Sequence, residues 1–273
     1  MTNFIIIVIS FYFFSTAAFI WYLFRQDTRC HKAGIYLFTA GFVCHLVLFA
    51  YDYLVTGHIP TQNLRETLIL AALAFAAVFL ILQYRFGLKV LGAYVAPLNT
   101  LILVAASLLR ETPYNAGNIF NNIWLVFHII TVFMGDAAFA LACGIGIFYL
   151  LQERAIKNKT QGFFFSRLPS LELIDHMGYV CVITGFTMLS IGLITGLIYA
   201  NMIWGRFWSW DPKEVWSAIT WLLYATLLHG RISLGWRGRK AAIMCILGFC
   251  VLLFTFLGVN FLLKGHHGEF TRF

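Results

Sequence analysis

The chain has 273 residues, 61% hydrophobic and only 11% charged, with a formal net charge of +8 and a mean hydropathy of +0.82. A water-soluble domain of this length needs far more charge to cover its surface, so lipid must solvate most of it. The 19 basic residues fall in short clusters between apolar runs, not in one patch, which argues against nucleic acid as a partner. At about 20 apolar residues per spanning helix, there is room for roughly eight spans and none for a large soluble domain.

Apolar runs at about 3–24, 34–55, 67–84, 89–109, 121–151, 175–203, 215–231 and 241–263 predict eight helices. Helices are expected over strands because a helix satisfies every backbone group within its own segment. The predicted fold is all-α: a polytopic transmembrane bundle forming a single integral membrane domain over 1–273. With no early positive cluster and no small-residue cleavage site, the N-terminus reads as a first span rather than a removed leader.

Loop charge alternates along the chain. Arg25, Arg29 and Lys32, then Arg85 and Lys89, then Arg154, Lys157, Lys159 and Arg167, and finally Arg231, Arg237, Arg239 and Lys240 form one set. The positive-inside rule places these loops in the cytoplasm or its equivalent. Both termini and the loops near 56–66, 110–120 and 203–214 then lie outside. The six cysteines show no CxxC spacing, and five lie within apolar runs, where they read as small core residues.

The external loop 203–216 is the most informative stretch. Trp204, Trp208, Trp210 and Trp216, half of the chain's 8 tryptophans, fall within it. An interfacial aromatic belt accounts for two of them more readily than for four. Asp211 suits an N-cap, Pro212 the first helical position and Glu214 the return arm of a capping box, so the same residues start the seventh helix. Clustered indoles beside a helix start form a flat apolar platform. Such a surface suits a large planar ligand with anionic tails, for which Arg206 and Lys213 offer charge.

W-G-x-x-W-x-W-D-P-K-E-x-W from Trp204 to Trp216, followed by I-T-W-L-x-Y-A-x-x-L-H-x-R, resembles the WWD signature of heme-handling proteins of cytochrome c biogenesis. It is most similar to the CcsA (ResC) branch of System II, rather than CcmC or CcmF. Gly57-His58-Ile59-Pro60, continuing through Asn63 to Glu66, resembles a second loop of that branch. The likeness covers most of the chain and is least diagnostic in the first span.

The resemblance implies a fold and a task. Heme b passes outward through the bundle and is presented at the outer face to an apocytochrome c, whose CxxCH thiols form thioether bonds. It implies that His128 and His267 ligate the presented heme, that His45 and His229 ligate heme within the membrane, and that Trp204, Trp208, Trp210, Trp216, Asp211 and Arg206 form its platform. Neutral imidazole is a standard axial ligand; His266, beside His267, is an alternative. The family acts with a CcsB (ResB)-like membrane protein carrying a large external domain, so this chain is expected to be one component of a holocytochrome c synthase in an inner, plasma or thylakoid membrane. No covalent-catalysis constellation is apparent. Two other classes stay open: a diheme b-type electron carrier that reduces a quinone, and a heme-free permease or scaffold.

Other polar residues carry smaller expectations. Glu66 is expected to cap the third helix, His31 to be solvated in a basic loop, and His176 to make a helix-terminal hydrogen bond. His58 has no evident partner. Asp136, deep in the fifth span, is expected to find a histidine or a backbone amide.

Overall fold

The computed structural model describes residues 2–57, 59–109, 122–159, 162–163 and 165–259. Eight helices make up the described fold, and no strand occurs among the described residues: α1 (Thr2–Arg25), α2 (Thr28–Thr56), α3 (Leu64–Phe86), α4 (Gly92–Leu108), α5 (Ile123–Lys157), α6 (Leu171–Trp204), α7 (Pro212–Ser233) and α8 (Arg239–Leu253). A π-helical turn, Phe254–Gly258, extends α8. The all-α membrane bundle predicted from the apolar runs is therefore what the chain forms. Six of the helices are long and apolar enough to cross a membrane. The other two are α4, 17 residues long with Pro97 inside it, and α7, which carries Lys213, Glu214, His229 and Arg231.

Local chemistry sets the helix starts. Asn63 caps α3, accepting the Glu66 N–H at 2.9 Å, while Glu66 accepts from the Asn63 side-chain amide and the Gln62 N–H, each at 2.8 Å. The expected capping role of Glu66 is thus met. Ser170 caps α6 and Asp211 caps α7.

The helices form two compact units, α1–α4 and α5–α8. In the first, α1 packs on α2 and α4, and α3 packs on α4. An edge-to-face ring cluster fills its centre, with Tyr12–Phe38 and Phe38–Phe79 centroids both 4.8 Å apart. His31 is not solvated as expected: it is half-buried, with its ring edge-on to Tyr22 at 5.1 Å and Phe19 at 5.8 Å. Two apolar rings within reach draw a neutral imidazole out of water.

In the second unit α5 is sandwiched between α6 and α8. A side chain on Gly135 would sit 3.1 Å from the Gly185 carbonyl, and one on Gly146 would sit 2.9 Å from the Ala242 carbonyl. These contacts are backbone on backbone, the close approach that small residues permit in lipid. Tyr224 of α7 stacks on Phe139 of α5 at 3.5 Å. At the end carrying the basic loops, Arg231 donates to both Asp175 oxygens, at 3.1 and 2.6 Å, and the Gly238 N–H donates to Asp175 at 2.7 Å. The guanidinium also lies 4.2 Å over the Tyr179 ring. One carboxylate thereby staples α6, α7 and the turn before α8. Asp175→Asn leaves Arg231 without its counter-charge. It should lower unfolding stability by about 2–3 kcal/mol, read as a fall in thermal midpoint in detergent, with Asp175→Leu/Arg231→Met recovering part of the loss.

Candidate functional site

The tryptophan loop begins where α6 must stop. Gly205, at φ 67, ends α6 and returns its N–H to the Asn201 carbonyl. Six residues later Asp211, almost fully buried, accepts the Lys213 N–H at 2.9 Å and starts α7. Glu214 closes the capping box and does more: its carboxylate accepts the Ser209 N–H at 2.8 Å, the Ser209 hydroxyl at 2.9 Å and the Asp211 N–H at 3.3 Å. Three donors from residues 209–211 converge on one anion beside a helix N-terminus, where negative charge is favoured.

Between those tethered residues stands Trp210. Its φ is 59, the left-handed region that a bulky side chain disfavours by about 1–2 kcal/mol. Its indole is 78% exposed and meets Trp208 edge-on at 5.8 Å. The Glu214 clamp holds the strained backbone, and the strain turns a large apolar ring outward. Trp204 packs on Tyr199 at 6.5 Å and remains partly exposed, as does Arg206. Trp216 is half-buried. It lies 4.5 Å from Phe254 of the π turn, and its carbonyl accepts hydroxyl donors from Thr220 at 2.9 Å and Thr255 at 3.4 Å. Of the four tryptophans, Trp204 and Trp210 are exposed, Trp208 and Trp216 are half-buried, and Trp216 packs on the π turn that extends α8.

Lys213 lies within electrostatic reach of Asp136 and Asp211. Arg206 is exposed on the loop.

His128 stands in the second turn of α5. Its Nδ1 lies 2.7 Å from the Gly192 carbonyl, and a side chain at Gly196 would come within 2.7 Å of that same nitrogen. Three other histidines, His267, His45 and His229, are expected to ligate heme alongside it. His45 is fully buried in the first unit, with Tyr12 edge-on at 6.1 Å and no hydrogen-bond partner for either ring nitrogen at bonding geometry. His229 is exposed on α7. His267, with His266 and His58, lies outside the described residues. A small, partly open apolar pocket does occur in the second unit, but it sits at the basic-loop end, lined by residues such as Gly146, Val182 and Arg231, away from the tryptophan loop.

Residues 61–267 match the family described as cytochrome c assembly protein. The chain belongs to that family. It is 33% identical over 242 residues to a cytochrome c biogenesis protein CcsA from Guillardia theta, covering 81% of this chain and 80% of the relative. It is 34% identical over 239 residues to the CcsA of Prochlorococcus marinus strain MIT 9301, covering 78% and 76% respectively. Among solved structures, a cytochrome c heme lyase CcmF superposes with a TM-score of 0.67 at 15% identity, over 99% of this chain and 48% of that one. That likeness concerns the fold, and this chain spans about half the length of the CcmF chain.

The role of this cytochrome c assembly protein is thus in cytochrome c maturation, which implies heme and apocytochrome c as its molecular partners, and it is integral to a membrane. Sequence reasoning had missed the left-handed Trp210 and the Gly192 acceptor; neither leaves a local pattern to read. Trp210→Gly should leave the thermal midpoint in detergent unchanged or higher, since glycine adopts positive φ freely, while cytochrome c maturation falls. Glu214→Ala should lower the midpoint by the equivalent of about 1–2 kcal/mol.

Proposed function

We propose that this assembly protein holds heme b at the outer membrane face, against Trp204, Trp208 and Trp210, and presents it to an apocytochrome c. The observation that carries this is Trp210: an exposed indole kept in a disfavoured backbone state by a rigid carboxylate clamp. An interfacial anchor needs no strain, because indole seeks the headgroup level in any backbone conformation. A platform that must hold one orientation does need it.

The residues present fit a porphyrin. Indole faces supply apolar contact, Arg206 supplies an exposed cation for a propionate, and His128 supplies an imidazole donor. Asp211 acts through the helix start that it caps. We assign His128 and His267 as the two imidazoles of the presented heme. His45, fully buried with both nitrogens lacking partners, suits an inward-route ligand, and His229 is assigned to that route as well. The chain contributes orientation rather than a covalent intermediate. Fixing the macrocycle against a docked pair of CxxCH thiols makes the addition effectively intramolecular, which lowers the barrier by about 7–11 kcal/mol at best. The tryptophan loop and both termini face outward in this proposal, opposite the basic loops. A CcsB (ResB)-like partner supplies a large external domain.

Protein purified from heme-replete cells should show a Soret band. His128→Ala and His267→Ala should each lower heme retention, with added imidazole restoring it, and Trp208→Ala/Trp210→Ala should lower it without loss of membrane insertion. Full heme content and full maturation in both histidine variants would end the proposal.

A further inference from the structure

His128 is held by α6 in a way that decides which of its nitrogens faces a ligand. A carbonyl oxygen only accepts, so the Nδ1 that sits 2.7 Å from the Gly192 carbonyl must carry the ring proton. The lone pair then belongs to Nε2. The lock depends on a missing side chain: a Cβ at Gly196 would lie 2.7 Å from Nδ1 and 2.8 Å from Cε1, displacing the ring. Gly192 itself fits against Val132 and Thr131 only without a Cβ, which would come within 2.6 and 3.2 Å of them. The acceptor is also shared. The buried Thr195 hydroxyl lies 3.0 Å from the Gly192 oxygen and 2.9 Å from the Ile191 oxygen, so its single proton is shared between the two carbonyls.

From this we infer that Gly192, Thr195 and Gly196 are positioning residues that set the tautomer of His128 and tune its strength as an iron ligand. The inference rests on the assignment of His128 as a heme ligand. A ligating imidazole whose other N–H donates to a carbonyl is oriented and made more basic by that bond. A second donor on the same oxygen weakens the pull. Thr195 therefore moderates the donor strength of His128, while the glycines permit the bond to form.

Two variants separate these effects. In Gly196→Ala the ring is displaced; in Thr195→Val the bond is kept and the competing donor is lost. Gly178→Ala is the packing control on the same helix, since its Cβ meets only Ile145 at an ordinary 3.4 Å. The full chain, heme-free in nanodiscs and labelled with ring-¹⁵N histidine, gives a readout independent of any activity, with the His128 signals assigned by their loss in His128→Ala. The wild type should show a protonated Nδ1 and an unprotonated Nε2. Gly196→Ala should lose that single tautomer, and Thr195→Val should keep it with the Nδ1–H resonance moved downfield. With heme bound, Thr195→Val should shift the midpoint potential lower, and Gly196→Ala should weaken retention about 10- to 100-fold, with Gly178→Ala as wild type in both. An unchanged tautomer in Gly196→Ala together with an unchanged potential in Thr195→Val overturns the inference. Full heme retention in His128→Ala overturns instead the assignment of His128 as a ligand.

Discussion

Helices α5 and α6 touch along their backbones, and the second unit depends on that contact. Gly135 and Gly185 face one another where any side chain would collide with a carbonyl. In lipid no hydrophobic force draws helices together, so dispersion between closely approaching backbones must do it. Further along the same interface this closeness brings an imidazole on α5 to a carbonyl on α6. Were the two helices spaced by alanines, the ring would have no acceptor within reach. The same packing rule that assembles the bundle also orients a candidate iron ligand.

The tryptophan loop obeys a different constraint. Its rigidity is electrostatic: Glu214 gathers donors from Ser209 and Asp211 at the positive end of α7, and Asp211 is buried beneath it. Such a clamp offsets the local cost of a left-handed Trp210. The loop and the start of α7 are thus joined by a carboxylate in a medium where unpaired charge is costly. At the far end Asp175 performs the analogous task, accepting from Arg231 and from the Gly238 backbone. Both ends of the second unit are tied by a carboxylate, and the glycine interface runs between them.

Much was legible from the residues alone because it follows from local rules. The eight helices follow from apolar runs, since lipid leaves a spanning chain little choice but to satisfy its backbone within each segment. The starts of α3 and α7 follow from Asn63–Glu66 and Asp211–Glu214, whose partners lie within a single turn. The loop was conspicuous because four tryptophans in so short a stretch exceed what an aromatic belt requires.

Tertiary structure alone decided the contacts between residues distant in the chain. Nothing in the spacing of His128 and Gly192 or of Asp175 and Arg231 says that they meet. Each pairing depends on how two helices are rotated and how closely they approach. His31 illustrates the same point: set among basic loop residues it looks solvated, yet Phe19 and Tyr22 of the preceding helix fold over it. Sequence determined which segments are helices and where polar chemistry is concentrated, because those depend on neighbours a few bonds away. The fold determined which polar groups face one another, because that depends on interhelical geometry summed over the whole bundle.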